Sequence, residues 1–424
     1  MRRILNIALG DMSTGELGIA IAFMKNLNPD QYCNYLLIPE EKKGILQDSG
    51  FNVFSLSKDK SPMQNRAIAE NIIQTVAPDL IILFDIFTFE YAQNWTGCNT
   101  DFLKAFGIPM ASIDEYEYTL TNYKIDYYGV FVKRLPDLLS QCDFVLKNCP
   151  LSMPKSDTAL FDAKKYFYYR VFEKLDRITA EERKDLRKEY FDVDDDNEKV
   201  IFFTTSLWEV SGAYSFSCQN ALAGWLGLIV YHYLKDLGSK VVLVHVGTEN
   251  WEIHSDEKVR YIHFDSLKST AFDRVIQAAD LFLTYNIVSI SLSKAVLYGV
   301  PSLVLNNQNV IEFGKLEKTL RQRPAWYQAM AEDVKKVYPF AASLFGWPNF
   351  LKVCLSDNVY KDSFDVANVF NYRVTMEQLK SILFDTAYRK EVSDRMVHFS
   401  DRYYQIASPK EVLDKIFNDV EREV

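Results

Sequence analysis

The acidic side chains able to take up a proton fall at the ends of apolar runs. Asp11 follows the run Ile4–Leu9, Glu16 comes shortly after it, and Asp85 and Asp114 follow the runs that end at Phe84 and Ile113. A carboxylate held at such a point can act as a general base. An Asp just ahead of a helix serves equally as an N-cap, so both readings stand. A second set consists of hydroxyls and a lysine. Thr205 and Ser206 follow the run Val200–Thr204, while Ser289 and Ser291 open a helical pattern that carries Lys294 one turn in. Hydroxyls and free N–H groups at a helix start attract phosphate; ordinary capping and a solvated helix face use the same residue types. His245 and His263 close apolar runs, where an imidazole is either ligand-facing or a satisfied structural group. Asp114-Glu115-Tyr116-Glu117-Tyr118, with Tyr123, Tyr127 and Tyr128, is the densest aromatic and acidic patch. Asp194-Asp195-Asp196 has the composition of a metal site, but the polar segment Asp192–Glu198 is accounted for as a solvated turn. The 5 histidines form no H-E-x-x-H pair, so no metal site is expected. No G-x-x-x-x-G-K-[ST] loop occurs either.

The elements that must position these residues alternate. Ile4–Leu9 reads as a buried strand, Gly10–Gly15 as a turn-rich loop, and Glu16–Leu27 as a helix stopped by Asn28-Pro29. Strands are predicted at Tyr35–Ile38, Val53–Leu56, Leu80–Phe84, Ile108–Ile113 and Phe144–Leu146, and helices at Pro62–Val76 and Asp101–Phe106. Pro150 to Glu198, with the aromatic run Tyr166–Tyr169 and a charged helix at Ala180–Tyr190, reads as a connection. A second alternation follows, with strands at Val200–Thr204, Lys240–Val246, Val259–Phe264, Leu281–Thr284 and Ser302–Leu305. Helices are expected at Asn220–Leu237, Ala271–Ala279 and Leu292–Tyr298, the last closed by Gly299 and Pro301. Asn307–Arg373 resists assignment, and three helices end the chain. Strands alternating with helices indicate parallel sheets. The expected domains are residues 1–150, a connection over 151–198, and residues 199–424 including the C-terminal helices.

Length and composition agree with this division. The chain has 424 residues, 48% of them hydrophobic and 25% charged, enough for two domains with buried cores. Aromatics reach 14%, which serves stacking surfaces or an aromatic-rich core. A net charge of −9 without a long Lys/Arg run excludes bulk nucleic-acid binding. The 6 dispersed cysteines form no C-x-x-C pair and read as reduced thiols. The run after Met1-Arg2-Arg3 is too short for a signal peptide, and no transmembrane segment is expected. A cytoplasmic location follows as the expectation.

The stretch Ala279-Asp280-Leu281-Phe282-Leu283-Thr284-Tyr285-Asn286, through Ser289 and Ser291 to Leu297-Tyr298-Gly299-Val300-Pro301 and the strand after it, resembles the donor-site signature of the GT-B nucleotide-sugar glycosyltransferases. Ile7-Ala8-Leu9-Gly10-Asp11 with Gly15-Glu16-Leu17-Gly18 resembles that superfamily's opening strand, loop and helix. The resemblance covers about 50 residues in motif. It implies an α/β fold of two Rossmann-like doubly wound parallel-sheet domains facing across a cleft. Two departures mark a divergent member. Ile287 and Val288 stand where the family often has a Gly pair, and Lys294 stands where a Glu commonly holds the ribose hydroxyls. A lysine cannot accept hydrogen bonds from a diol, but it can meet a phosphate.

By this resemblance the second domain binds a nucleotide-sugar as co-substrate, with no further cofactor and no metal. Thr205, Ser206, His245, Ser289, Ser291 and Lys294 are the donor contacts. The first domain presents an unidentified acceptor, with Asp11 as the first choice of base, Glu16 beside it, and Asp114, Tyr116 and Tyr118 on the acceptor. A nucleotide-sugar epimerase or hydrolase of related fold, and a catalytically degenerate scaffold or binding subunit, remain alternatives.

Overall fold

The computed structural model describes residues 1–10, 15–46, 50–114, 117–118, 138–155, 165–194, 197–205, 224–306, 319–337 and 354–423. The chain forms two compact units. Unit 1 takes Met1–Lys174, Asn349–Tyr360 and Asp401–Val424; unit 2 takes Leu175–Pro348 and Lys361–Ser400.

Unit 1 is built on seven strands, β1 (Arg2–Ile7), β2 (Tyr32–Pro39), β3 (Asn52–Leu56), β4 (Leu80–Leu83), β5 (Met110–Asp114), β6 (Phe144–Cys149) and β7 (Tyr166–Arg170). They lie in the order β3-β2-β1-β4-β5-β6-β7, every pair parallel. Parallel strands covered on both faces need apolar side chains throughout, and Leu80 to Leu83 are all fully buried. The chain runs outward from β1 to β3, then returns to the other side of β1 for β4. Helices α1 (Gly15–Lys25), α2 (Pro62–Val76) and the short α3 (Ile86–Tyr91) follow β1, β3 and β4. The start of α2 is fixed by its own sequence: Ser61 and Gln64 make a reciprocal capping box around Pro62.

Unit 2 repeats the logic. Its entry helix α4 (Ala180–Phe191) begins with the capping box Thr179/Glu182. Strands β8 (Lys199–Thr204), β9 (Val241–Val246), β10 (Val259–Phe264), β11 (Leu281–Thr284), β12 (Ser302–Asn306) and β13 (Asp365–Asn368) form an all-parallel sheet in the order β10-β9-β8-β11-β12-β13. Here the strand order reverses between β8 and β11. Its helices include α5 (Leu226–Asp236), α6 (Ser269–Gln277), α7 (Ile290–Tyr298), α8 (Tyr372–Phe384) and α9 (Thr386–Tyr403). Ile201, Phe203, Leu243 and Leu283 from the sheet pack with Val230, Tyr233, Leu379 and Ile382 from α5 and α8 as its core. The final helix α10 (Pro409–Glu423) returns to unit 1 and lies against β7.

The division departs from the sequence expectation at three places. Tyr166–Tyr169, read as part of a connection, is the edge strand β7. Phe167 and Tyr169 are buried while Tyr166 and Tyr168 are half-buried, the period-2 alternation of a one-sided strand. Unit 1 therefore extends to Lys174 rather than to residue 150. The C-terminal helices are not all part of unit 2. The α10 side chain Asp414 accepts a hydrogen bond from the Tyr32 hydroxyl, and Phe417 carries the Arg2 guanidinium 4.9 Å from its ring centre. Finally, the unassigned stretch Asn307–Arg373 contains β13, pairing with β12 from Leu303↔Asp365 onward. Among the described residues no helix is long and apolar enough to cross a membrane.

Candidate functional site

In open parallel sheets, ligands bind beyond the carboxyl ends of the strands where strand order reverses. In unit 2 that point lies after β8 and β11. The amino ends of the same strands are anchored by Asp280, which accepts from Val200 N at 2.8 Å, Arg187 Nη1 at 2.8 Å and Arg183 Nη2 at 2.9 Å. Burial alone would raise the Asp280 pKa, but the Arg187 guanidinium overrides it and holds the carboxyl below the usual range. Asp280, part of the sequence signature, therefore does structural work at the amino end of the strands, opposite their carboxyl ends.

After β11 the chain makes a self-satisfied turn into α7. The Thr284 hydroxyl accepts from Asn286 N at 3.0 Å, Asn286 Oδ1 from Val288 N at 3.0 Å, and Ser289 Oγ from Ser291 N at 3.2 Å. Ser289 is thus the N-cap of α7, and Gly299 ends the helix at φ 79°, the left-handed conformation glycine adopts without strain. Ile287 is buried. Lys294 forms a 2.6 Å ion pair with Asp273 on α6, both side chains largely covered. Its charge is directed to a neighbouring helix of the same unit.

Thr205 follows β8, its N–H donating to Val246 O at 3.1 Å. Its Oγ1 lies 2.8 Å from His245 Nε2, and His245 Nδ1 lies 2.9 Å from the Tyr261 hydroxyl. The His245 ring is fully buried and stacks on Trp251 at 3.8 Å. Burial, with a smaller push from His263, lowers its pKa from 6.5 to about 3, so the imidazole is neutral at physiological pH. Of the expected donor residues, Thr205, Ser289 and Ser291 stand at the adjacent ends of β8 and β11, whereas His245 lies behind Thr205. Ser206 falls outside the described residues.

The matching point in unit 1 lies after β1 and β4. Glu16, in the first turn of α1, is buried, and its Oε1 accepts from the Thr88 hydroxyl at 2.8 Å. The same hydroxyl lies 3.0 Å from Asp85 Oδ2. It has one hydrogen to give, so at any instant it serves one of the two carboxylates. Asp85 caps α3 with φ at 80°, a strained conformation for a non-glycine residue. Gly10 makes room for the pair: a Cβ there would stand 1.9 Å from Glu16 Oε2 and 2.6 Å from Thr88 Cγ2. Lys42 Nζ donates to the Gly10 carbonyl. Asp11 falls outside the described residues.

Asp114 ends β5 and is fully buried. Lys147 Nζ lies 3.0 Å from its Oδ2 and also pairs with Glu117, and the Tyr118 N–H donates to Asp114 Oδ1 at 2.9 Å. Burial raises the Glu117 pKa despite Lys147, and the two carboxylates raise Lys147 against the opposing effect of burial. Tyr118 is buried edge-on against Phe87 at 4.4 Å. The expectation of acceptor-facing side chains thus meets two interior residues at Asp114 and Tyr118. Tyr116 falls outside the described residues. Of the acidic run Asp194-Asp195-Asp196, only Asp194 is described, and it pairs with Lys188. Among the described residues no three His, Cys, Asp or Glu side chains gather as a metal site.

Residues 23–420 match the model of a family of unknown function, DUF6365. The chain belongs to that family. No curated protein matches the DUF6365 chain by sequence. Solved structures share its architecture. The Arabidopsis thaliana protein UGT89C1, determined with quercetin, is 12% identical with a TM-score of 0.59, over 99% of this chain and 98% of that one. Anabaena Alr3699/HepE, determined with UDP and glucose, is 12% identical with a TM-score of 0.54, over 100% and 99%. A putative UDP-N-acetylglucosamine 2-epimerase from Listeria monocytogenes is 12% identical with a TM-score of 0.50, over 96% and 92%. At such identities the likeness shows the fold alone: this DUF6365 chain has two doubly wound α/β sheets of the GT-B kind.

Sequence reasoning did not single out Thr88, Lys42, Lys147, Trp251 or Tyr261. Thr88, Lys42 and Lys147 meet partners 72, 32 and 33 residues away, and Trp251 and Tyr261 gather around His245 only once the sheet is formed.

Proposed function

We propose that the chain is a glycosyltransferase: unit 2 holds a nucleoside-diphosphate sugar and unit 1 binds an acceptor hydroxyl. The observation that carries the reading is the placement of Thr205, Ser289 and Ser291 after the adjacent strands β8 and β11, at the reversal point of a GT-B sheet. The α7 N-terminus there favours negative charge. In this reading Thr205 and the two serines meet the diphosphate, with Ser206 beside them. His245 acts from behind Thr205. Lys294 becomes a phosphate contact by exchanging Asp273 for the ligand.

In unit 1 the acceptor hydroxyl surrenders its proton to Asp11 or Glu16. Its oxygen attacks the anomeric carbon, and the bond from that carbon to the diphosphate oxygen breaks with its electron pair leaving on the diphosphate. Asp114 and Tyr118, both interior, act on acceptor recognition indirectly, and Tyr116 is the candidate acceptor contact. The reaction as proposed needs no metal and no resident cofactor. The Listeria neighbour supports a second reading, donor turnover without an acceptor, as in an epimerase or hydrolase.

The test is release of nucleoside diphosphate from a panel of UDP-, dTDP-, GDP- and ADP-sugars, with and without a mixture of sugar, lipid and phenolic acceptors. Acceptor-dependent release is the expected result. Acceptor-independent turnover would assign the second reading. No turnover across the panel would refute transfer and favour a non-catalytic binding scaffold.

A further inference from the structure

The residues behind Thr205 form a connected series whose hydrogen positions can be counted. Trp251 N–H donates to the Tyr261 hydroxyl at 3.2 Å. A backbone amide can only donate, so one lone pair of the Tyr261 oxygen is taken. The same hydroxyl lies 2.9 Å from His245 Nδ1, and among the described residues it meets no third partner. Among the described residues the acceptor within reach of its single hydrogen is His245 Nδ1, and donation there makes Nδ1 the acceptor. A neutral imidazole with an unprotonated Nδ1 carries its hydrogen on Nε2. That nitrogen is 2.8 Å from Thr205 Oγ1. In this tautomer Thr205 receives a hydrogen bond from His245, and its own hydrogen points elsewhere.

The surroundings hold this arrangement in place. Trp251 stacks on the His245 ring with 17° between planes, so the imidazole cannot roll. The N–H of Thr205 is fixed to β9 through Val246 O. Gly247 gives the threonine its room: a Cβ there would lie 2.1 Å from Thr205 Oγ1 and 3.1 Å from His245 Nε2. The Gly247 backbone is itself held, its N–H on Phe264 O at 3.0 Å and its carbonyl on His263 Nε2 at 2.8 Å.

We propose that Tyr261 and His245 are positioning residues that turn the Thr205 hydroxyl outward as a hydrogen-bond donor to an anionic, acceptor-only ligand group at the end of β8. The ligand chemistry is a phosphate or diphosphate oxygen; that part rests on the nucleotide-sugar reading above, whereas the tautomer stands on the geometry alone. A hydroxyl turned the other way would offer lone pairs and repel the same group. Hydrogen bonds to charged groups contribute enough that losing this one costs about 10- to 100-fold in affinity.

Two measurements on the full chain separate the parts. Long-range ¹⁵N–¹H correlation spectra of the histidine rings read the His245 tautomer without ligand. The expected result is the Nε2–H form in the wild type, and a mixture in Tyr261→Phe, where the fixing hydroxyl is gone. An Nδ1–H form in the wild type would overturn the relay whatever the protein binds. Titration with inorganic pyrophosphate and with UDP, dTDP, GDP and ADP then reads the ligand side. The proposal expects Thr205→Val to lose about 10- to 100-fold and Thr205→Ser, which keeps the hydroxyl, to stay within about 3-fold. Binding that ignores Thr205→Val would overturn the outward role of the hydroxyl while leaving the nucleotide site standing. No binding by any probe, with the Nε2–H tautomer present, would overturn the ligand assignment and with it the nucleotide-sugar reading.

Discussion

Lowering the pH from 7 to 5 takes the protein through the range in which an ordinary histidine gains its charge. His245 is held neutral by burial and by His263, its pKa moved from 6.5 to about 3. Above pH 6.5 the group is neutral folded or unfolded and contributes nothing to the pH dependence. Below it the unfolded chain binds a proton that the folded chain refuses, so stability falls as pH falls, until the folded group titrates near pH 3. Each unit of pH in that window is worth about 1.4 kcal/mol, which gives about 2 kcal/mol lost between pH 7 and pH 5 from this residue. The perturbation is His245→Gln, which removes the titration and retains an amide able to reach Thr205. Urea denaturation at pH 7, 6 and 5, followed by tryptophan fluorescence, measures the unfolding free energy of both proteins. The wild type is expected to lose about 2 kcal/mol more than the variant over this range. Carboxylate titrations common to both cancel in the difference. Parallel pH profiles would refute the claim that His245 is buried neutral.

Three other predictions rest on the packing. Arg187→Ala leaves Asp280 buried beside β8 without its main partner, and should cost about 3–5 kcal/mol in denaturant melts. A loss under about 1 kcal/mol would show that Arg183 suffices. Lys147→Met strands Asp114 and Glu117 in the interior of unit 1, with a loss of about 3–5 kcal/mol at pH 7. That loss should shrink as the pH falls and Glu117, whose pKa burial raises, takes up a proton, and a pH-independent loss would contradict the buried charge assignment. Gly10→Ala drives a methyl into Glu16 and Thr88, costing about 1–3 kcal/mol of stability. It should lower acceptor-dependent turnover more than nucleotide affinity, and equal effects on both would argue against Glu16 as a unit 1 catalytic group.

The parallel α/β architecture was legible because buried strands are continuous apolar runs and the α2 and α7 helices announce their ends through Ser61-Pro62, Ser289 and Gly299. The strand β7 was not legible as part of unit 1. A run of four aromatics alternating between buried and half-buried positions looks the same as a loop until β6 is beside it. The short β13 was hidden for a similar reason: Asp365 and Asn368 carry no strand pattern, and their place is set by pairing with β12. At the site, Thr205 stood out because it follows an apolar run, and Ser289 and Ser291 because they open a helical pattern. His245 was singled out by position, but its burial depends on Trp251 and Tyr261, which local pattern cannot connect to it. Lys294 illustrates the limit. Its helix position could be read, yet its partner Asp273 sits 21 residues earlier on another helix. Asp114 and Tyr118 were visible as a polar patch, whereas the Lys147 that draws Asp114 and Glu117 inward lies on the next strand.

The central claim is that unit 2 binds a nucleoside diphosphate at the ends of β8 and β11. Isothermal titration of the full chain with UDP, dTDP, GDP, ADP and CDP, repeated on Thr205→Val and on a Ser289→Ala/Ser291→Ala double variant, tests it directly. The account predicts one preferred nucleotide bound at one site, with each variant weakening it by about 10-fold or more. Absence of binding at millimolar nucleotide, or binding unchanged in both variants, would contradict it.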